Sequence, residues 1–404
     1  MSPPTRALSQ TEFVALTAML IATIAFSIDS MLPALPEIGR ELSPDAPNIA
    51  QLVIVSFVFG MGVGTLFAGP LSDAFGRKRL ILAGAGLYCV AAIAAAFAQS
   101  LEALLVARVV QGIGASGPRV AAQAMVRDLY EGRAQARVAS FIMMTFTLVP
   151  AMAPLIGSFI IAGFGWRGVF VSFLFFAGIS SLWLTIRQPE TLPPERRRPL
   201  DLPRLRAACR EVLGIPNVRR AILVQTLVFG VLFGTISSIQ PVYAEAFGRA
   251  ESFPFWFALI SILSAGASFL NAHLVGRLGM IWLIRRALVA HLAVSALLLA
   301  GWPVLSEALR FPVFLLWQVG AFSLAGLTIG NVQAIAMQPL GHVAGMASSV
   351  IASVSTIGAV ALAAPIGLTF DGTPIPLVGG AAFCAATAFW LALCLEEDPV
   401  AAAA

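Results

Sequence analysis

The chain has 404 residues, of which 59% are apolar and only 11% charged, 25 basic against 20 acidic for a net charge of +5. A water-soluble surface needs roughly a quarter of its residues charged, so a mean hydropathy of +0.90 excludes ordinary soluble folds and leaves lipid as the exterior. At about 20 apolar residues per helical crossing, the length accommodates on the order of a dozen spans.

Apolar runs punctuated by charge, Pro and Gly predict spans near 13–35, 49–68, 80–98, 101–126, 136–162 and 166–186. The first run carries Asp29 and Pro33 where a cleavage site of small residues would stand, so it is expected to remain as a span rather than a signal peptide. Residues 187–220 then hold nine Arg, four acidic residues and six Pro, a basic linker. Within it Leu202, Leu205, Cys209, Val212 and Leu213 recur at helical spacing, which predicts a short helix lying on the membrane surface. Six further spans follow near 221–243, 254–276, 281–302, 311–337, 343–368 and 375–395. The expected fold is all-α and polytopic, with twelve transmembrane helices in two six-helix halves, 1–186 and 221–404, joined by the 187–220 linker.

Lys and Arg are distributed 19 to 4 between alternate sides of these spans, and the bias survives removal of the linker. By the positive-inside rule both termini and the linker are expected in the cytoplasm. The same rule accounts for the basic balance, so nucleic-acid binding is not expected. The four cysteines have neither metal-ligand nor disulfide spacing. The halves echo each other: Gly76-Arg-Lys-Arg-Leu80-Ile81 after span two parallels Gly279-Met-Ile-Trp-Leu283-Ile284 after span eight, and Gln123-Ala-Met125 parallels Gln333-Ala-Ile335. Internal repeats of this kind build many secondary transporters.

Several local patterns carry no chemistry. Gly112-Ile-Gly114-Ala-Ser-Gly117 spells a dinucleotide fingerprint, yet it lies inside a span with no strand before it, so close helix packing is the better reading. There is no Walker A sequence, and His273, His291 and His342 are scattered without a metalloprotease pattern. No cofactor or metal is expected.

The connection between spans two and three reads Gly69-Pro-Leu-Ser-Asp73-Ala-Phe-Gly76-Arg77-Lys78-Arg79. It resembles the G-x-L-x-D-x-x-G-R-K signature of the major facilitator superfamily, and Arg108-Val-Val-Gln-Gly112 resembles that superfamily's R-x-x-Q-G motif. Two glycines permit a tight turn, Asp73 is placed to dock on a helix N-terminus, and Arg77 and Lys78 on helix ends or anionic lipid. This makes Gly69, Asp73, Gly76, Arg77 and Lys78 a candidate conformational switch, against the alternative of a solvated loop that only sets topology.

Asp29-Ser-Met-Leu-Pro33-Ala-Leu-Pro36, Arg127-Asp128, Trp166-Arg167 and Asp371-Gly-Thr-Pro-Ile-Pro376 further resemble the Bcr/CflA branch of bicyclomycin and chloramphenicol exporters. The chain departs from that pattern at Ser30 and Met31, and at Ala153-Pro154-Leu-Ile-Gly157-Ser158, which lacks two of the glycines of the antiporter motif. The resemblance implies a drug:proton antiporter of the bacterial inner membrane, acting as a monomer on small amphipathic molecules. A metabolite exporter or a proton-coupled uptake symporter on the same fold is the alternative, and an intramembrane enzyme or a receptor lacks a recognisable constellation.

A carboxylate inside a span costs about 2.5–3.5 kcal/mol on insertion scales, so Asp29 needs a reason. At about 1.5 Å per residue, Asp29 in span one and Arg108 in span four reach similar depths in the outer half, so an Asp29/Arg108 pair is expected to carry proton coupling if those spans are neighbours. The alternatives are a static pair or a residue in a wet vestibule. The interiors of spans seven to twelve contain no Asp, Glu, Lys or Arg, so the second half is expected to offer shape and neutral polar contacts. Candidate cavity residues are Phe26, Arg119 and Gln123 in the first half and Gln225, Phe229, Phe233, Gln240, Trp317, Asn331 and Gln333 in the second. For these aromatic and amide side chains, helix packing and interhelical bonding are the competing roles.

Overall fold

The computed structural model describes residues 8–397. Its helices are α1 (Gln10–Asp29), α2 (Leu35–Leu42), α3 (Leu52–Phe75), α4 (Arg77–Ala96), α5 (Leu101–Leu129), α6 (Gly132–Arg187), α7 (Leu202–Gly214), α8 (Pro216–Pro241), α9 (Phe253–Leu278), α10 (Met280–Gly301), α11 (Glu307–Met337), α12 (Ala344–Leu368) and α13 (Ile375–Ala392). Nine helical stretches among the described residues are long and apolar enough to cross a membrane. That number is below twelve for reasons of continuity and charge. Glu307–Leu368 is a single such stretch that contains both α11 and α12. Helix α6 breaks at Gly165 (φ 67°, ψ −179°) into two helices, and α5 carries Arg108 and Arg119 in its interior. Taken helix by helix, long segments fall six before α7 and six after it.

Local chemistry sets the boundaries. Ser9 caps α1 by accepting the Glu12 N–H at 3.2 Å, and Ser100 caps α5 by accepting that of Ala103 at 3.2 Å. Glu12 then ties α1 to the end of α6, accepting from Arg187 Nε and Nη2 at 2.8 Å each and from Trp183 Nε1 at 3.2 Å. At the other end of α6's second half, Glu41 accepts from Trp166 Nε1 and from Arg167 Nη1, both at 2.7 Å.

The chain forms two compact units, one of Met1–Asp45 with Ser56–Leu205 and the other of Ala46–Val55 with Arg206–Ala404. The division falls inside α7, within the basic linker. The short segment before α3 groups with the second unit, where Asn48 Nδ2 donates to the Phe370 carbonyl at 3.2 Å and Gln51 Nε2 to that of Gly367 at 3.1 Å.

The linker helix forms where the leucine spacing places it, but its apolar face is not left for lipid. Leu205, Ala208 and Val212 are buried in protein, while Leu202 and Leu213 stay exposed. Glu211 pairs with His342 Nε2 at 2.7 Å, which fixes α7 against the turn between α11 and α12. Protein contacts satisfy the amphipathic face that the sequence assigned to the membrane surface.

Close packing organises the first unit. Helices α3, α4 and α5 meet through glycine: a Cβ at Gly112 would strike the Phe57 carbonyl, and one at Gly114 would lie 2.6 Å from the Tyr88 nitrogen. The fingerprint-like glycines are thus helix-packing residues, since only a missing side chain lets backbones approach this closely.

Candidate functional site

Asp29 ends α1 and is only 4% exposed. Among the described residues its carboxylate has no hydrogen-bond or ion-pair partner. The hydroxyls beside it in sequence are engaged elsewhere. Ser27 Oγ stands 2.5 Å from both the Thr23 carbonyl and the Tyr88 hydroxyl of α4, and Ser30 Oγ donates to the Phe26 carbonyl at 2.5 Å. Phe26 itself is buried, stacked on Phe176 at 5.2 Å and edge-on to Phe173 at 5.7 Å.

Arg108 is fully buried on α5. Its Nη2 donates to the Ser27 carbonyl at 3.0 Å and its Nη1 to Gln111 Oε1 at 2.8 Å. The guanidinium lies over the Phe57 ring at 4.4 Å and within 5.9 Å of Phe170. The sequence brings Asp29 and Arg108 to the same level of neighbouring helices, yet no ion pair joins them among the described residues. Arg108 is satisfied by a main-chain carbonyl, an amide and an aromatic face, and the carboxylate two residues beyond Ser27 is left over. Gln111, the amide of the R-x-x-Q-G motif, belongs to this cluster together with Tyr88 and Phe57, which motif reading does not single out. A lone hydroxyl inside an apolar run is the only sequence signal that Tyr88 offers, and Phe57 offers none.

The connection between α3 and α4 forms a second cluster. Arg77 Nη1 pairs with Asp73 Oδ1 at 2.5 Å, its Nε with Asp128 Oδ2 at 3.0 Å, and Nη1 also donates to Ser72 Oγ at 3.0 Å. The carboxylate on the N-terminus of α4 is Glu190, not Asp73: its Oε1 accepts the Arg77 N–H at 2.9 Å and its Oε2 that of Lys78 at 3.2 Å. Asp73 is drawn instead to the guanidinium one turn away. Lys78 does sit on a helix end, donating Nζ to the Thr185 and Gln188 carbonyls at 2.9 and 2.7 Å. Gly76 takes φ 99°, a conformation open to glycine, directly against Glu190. Gly69 lies within α3, ahead of the turn.

The second unit repeats this device. Gly279 has φ 81°, ψ 156° against 99° and 155° at Gly76. Glu397 Oε2 accepts the Ile281 N–H at 3.5 Å, and Arg285 donates to the Ala392 and Leu393 carbonyls at 3.0 and 3.2 Å. A glycine turn, a carboxylate on the next helix N-terminus and a cation on the sixth helix's C-terminal carbonyls thus occur in both units.

The remaining candidates separate by environment. Trp317 is fully buried, donating to Ser295 Oγ at 2.9 Å and stacked on Phe314 at 5.5 Å. Asn331 Nδ2 donates to Asn271 Oδ1 at 2.7 Å, joining α11 to α9. Both side chains are thus engaged by neighbouring helices. Gln225 and Gln240 are buried on α8, and Phe229 and Phe233 are partly buried with rings 5.6 Å apart. Gln333 is partly buried and Gln123 exposed. Arg119 is half-buried, and its contact is Met61 Sδ at 3.9 Å.

Two six-helix units with a repeated turn, and buried charges in the helices of the first, give the architecture of a multi-pass membrane transporter. The chain belongs to the Major Facilitator Superfamily, whose model matches residues 16–363. Over 356 residues it is 29% identical to the bicyclomycin resistance protein homolog of Haemophilus influenzae, covering 86% of this chain and 87% of that one. It is 37% identical over 147 residues to a chloramphenicol resistance protein of Pseudomonas aeruginosa, 36% of this chain and 35% of the other. A D-xylose-proton symporter structure superposes with a TM-score of 0.76 at 12% identity, covering 95% and 97% of the two chains, which establishes the fold.

Proposed function

We propose that this transporter exports small amphipathic drug-like molecules in exchange for protons, with Asp29 taking up and releasing the coupling proton. The observation that carries the reading is a carboxylate 4% exposed at the end of α1 with no partner among the described residues. A structural carboxylate at such a place is neutralised by a neighbouring cation or amide donors. Here Arg108 bonds to the Ser27 carbonyl and to Gln111, so the Asp29 charge is compensated by a proton or by a ligand. Change in water access or in the spacing to Arg108 then changes proton affinity, which is what coupling to alternating access requires. The resistance-associated names of the relatives support the export direction. The 19-to-4 distribution of Lys and Arg supports cytoplasmic termini, and we place the protein in a bacterial inner membrane as a functional monomer in contact with lipid.

The test is flux of ethidium and chloramphenicol in proteoliposomes of the purified chain under an imposed pH gradient. Movement out of the linker-side compartment, driven by protons entering it and abolished by an uncoupler, is the expected result. Uptake in the same direction as the proton would replace export by symport.

A further inference from the structure

Arg119 is a third intramembrane charge, beside Asp29 and Arg108, and proton coupling gives no use for it. We propose that Arg119 binds an anionic group of the transported molecule, so that the substrate class includes small organic monoanions such as aromatic carboxylates; this rests on the reading of the chain as a small-molecule exporter. Eleven residues separate Arg119 from Arg108 on α5, which at about 100° per residue returns both to one helix face, about 16 Å apart along the axis. Arg108 has the Ser27 carbonyl and Gln111 on that face. Arg119, half-buried and thus reachable, has the soft Met61 sulfur as its hydrogen-bond acceptor, and no carboxylate pairs with it among the described residues.

Arginine does not deprotonate under physiological conditions, so unlike Asp29 it has no neutral form to adopt in a low-dielectric setting. Asp29 is no partner for it. That residue lies near the Arg108 level, and the 16 Å or so between levels exceeds what an Asp and an Arg side chain together span. The interiors of α8 to α13 contain no acidic residue. Arg119 is about 27 Å from the start of α5 and about 15 Å from its end, a depth that lipid headgroups do not reach. A transported anion remains as the counter-charge. The planar guanidinium fork matches a carboxylate in two parallel hydrogen bonds, and one bound monoanion brings the ionised interior of Asp29, Arg108 and Arg119 to neutrality.

The test measures binding and transport separately. Salicylate, indole-3-acetate and nalidixate, each beside its neutral amide, are titrated calorimetrically into the detergent-solubilised wild type, Arg119→Gln and Arg119→Lys. At least one acid is expected to bind the wild type and to bind Arg119→Gln at least tenfold more weakly. Arg119→Lys should keep part of the affinity, and the amides should bind wild type and Arg119→Gln alike. Arg119→Gln should melt no lower than wild type, because it removes a charge that no carboxylate balances among the described residues. Equal binding of every acid by wild type and Arg119→Gln, or binding of amides but of no acid, overturns the proposal. Proteoliposome flux of the same compounds distinguishes the two readings. Arg119-dependent binding without gradient-driven movement of any compound sinks the exporter reading and leaves the anion site standing, whereas driven export insensitive to Arg119 does the reverse.

Discussion

The Arg108 guanidinium donates to the main-chain carbonyl of Ser27 at 3.0 Å and so fixes the last turn of α1, two residues before Asp29. Under the proposed reading, Arg108 therefore acts on Asp29 by holding the end of α1, not through a direct ion pair. Asp29→Asn reproduces the protonated form, and its gradient-driven export should fall to background while insertion and thermal stability stay near wild type. Proton release on adding substrate to weakly buffered solubilised protein should vanish in the same variant. Full proton-driven export by Asp29→Asn would refute the assignment.

Arg108→Lys should be far from conservative. A single ammonium cannot serve the Ser27 carbonyl, Gln111 and the Phe57 face together, and an abandoned buried polar group costs about 1–3 kcal/mol. The detergent melting temperature should fall accordingly. Tyr88→Phe, which removes only the hydroxyl at 2.5 Å from Ser27 Oγ, should cost about 1 kcal/mol, and a fall equal to that of Arg108→Lys would show that the two are not separable.

Glu190→Gln leaves the α4 N-terminus without its anionic cap, a loss of about 1–2 kcal/mol. Limited proteolysis of residues 190–200 should quicken, because Glu190 also receives the Thr191 and Leu192 N–H groups at 3.0 and 3.1 Å. Asp73→Asn should slow turnover while expression holds, as it weakens the grip on Arg77 without uncapping α4. Unchanged turnover in Asp73→Asn would reduce the connection to a topology signal.

Gly112→Ala should lower stability by about 1–3 kcal/mol through overpacking, since the new methyl meets the Phe57 carbonyl. Gly86→Ala, with open space around it, should be close to neutral. Equal melting of the two would show that α3 and α5 separate more readily than their spacing implies.

Span number, the repeat and the polar turn were readable because each is written in one dimension, as runs of apolar residues, offsets and contiguous motifs. Asp29 and Arg108 stood out because charge is rare in an apolar helix. What sequence reading missed is pairwise. Glu190 looked like one acid among several in a basic linker, and only folding brings it back across more than a hundred residues to Arg77 and Lys78. Trp317 and Asn331 carry polar tips that suit a cavity, but facing helices supply Ser295 and Asn271 for them. The α7 leucine pattern fits a membrane surface and a protein groove equally, because both bury one helix face.

The capping glutamates have a bearing on ancestry. Glu190 and Glu397 each stand just past the sixth long helix of their own unit and close the helix that begins after its second. Duplication of a six-helix ancestor carrying such a residue after its sixth helix accounts for both copies. The arginine-rich stretch beyond Glu190 is then an insertion at the seam. Two polypeptides produced by cutting between Leu192 and Leu202 and expressed together would each retain a capping glutamate, so the split protein is expected to assemble and transport without the covalent joint.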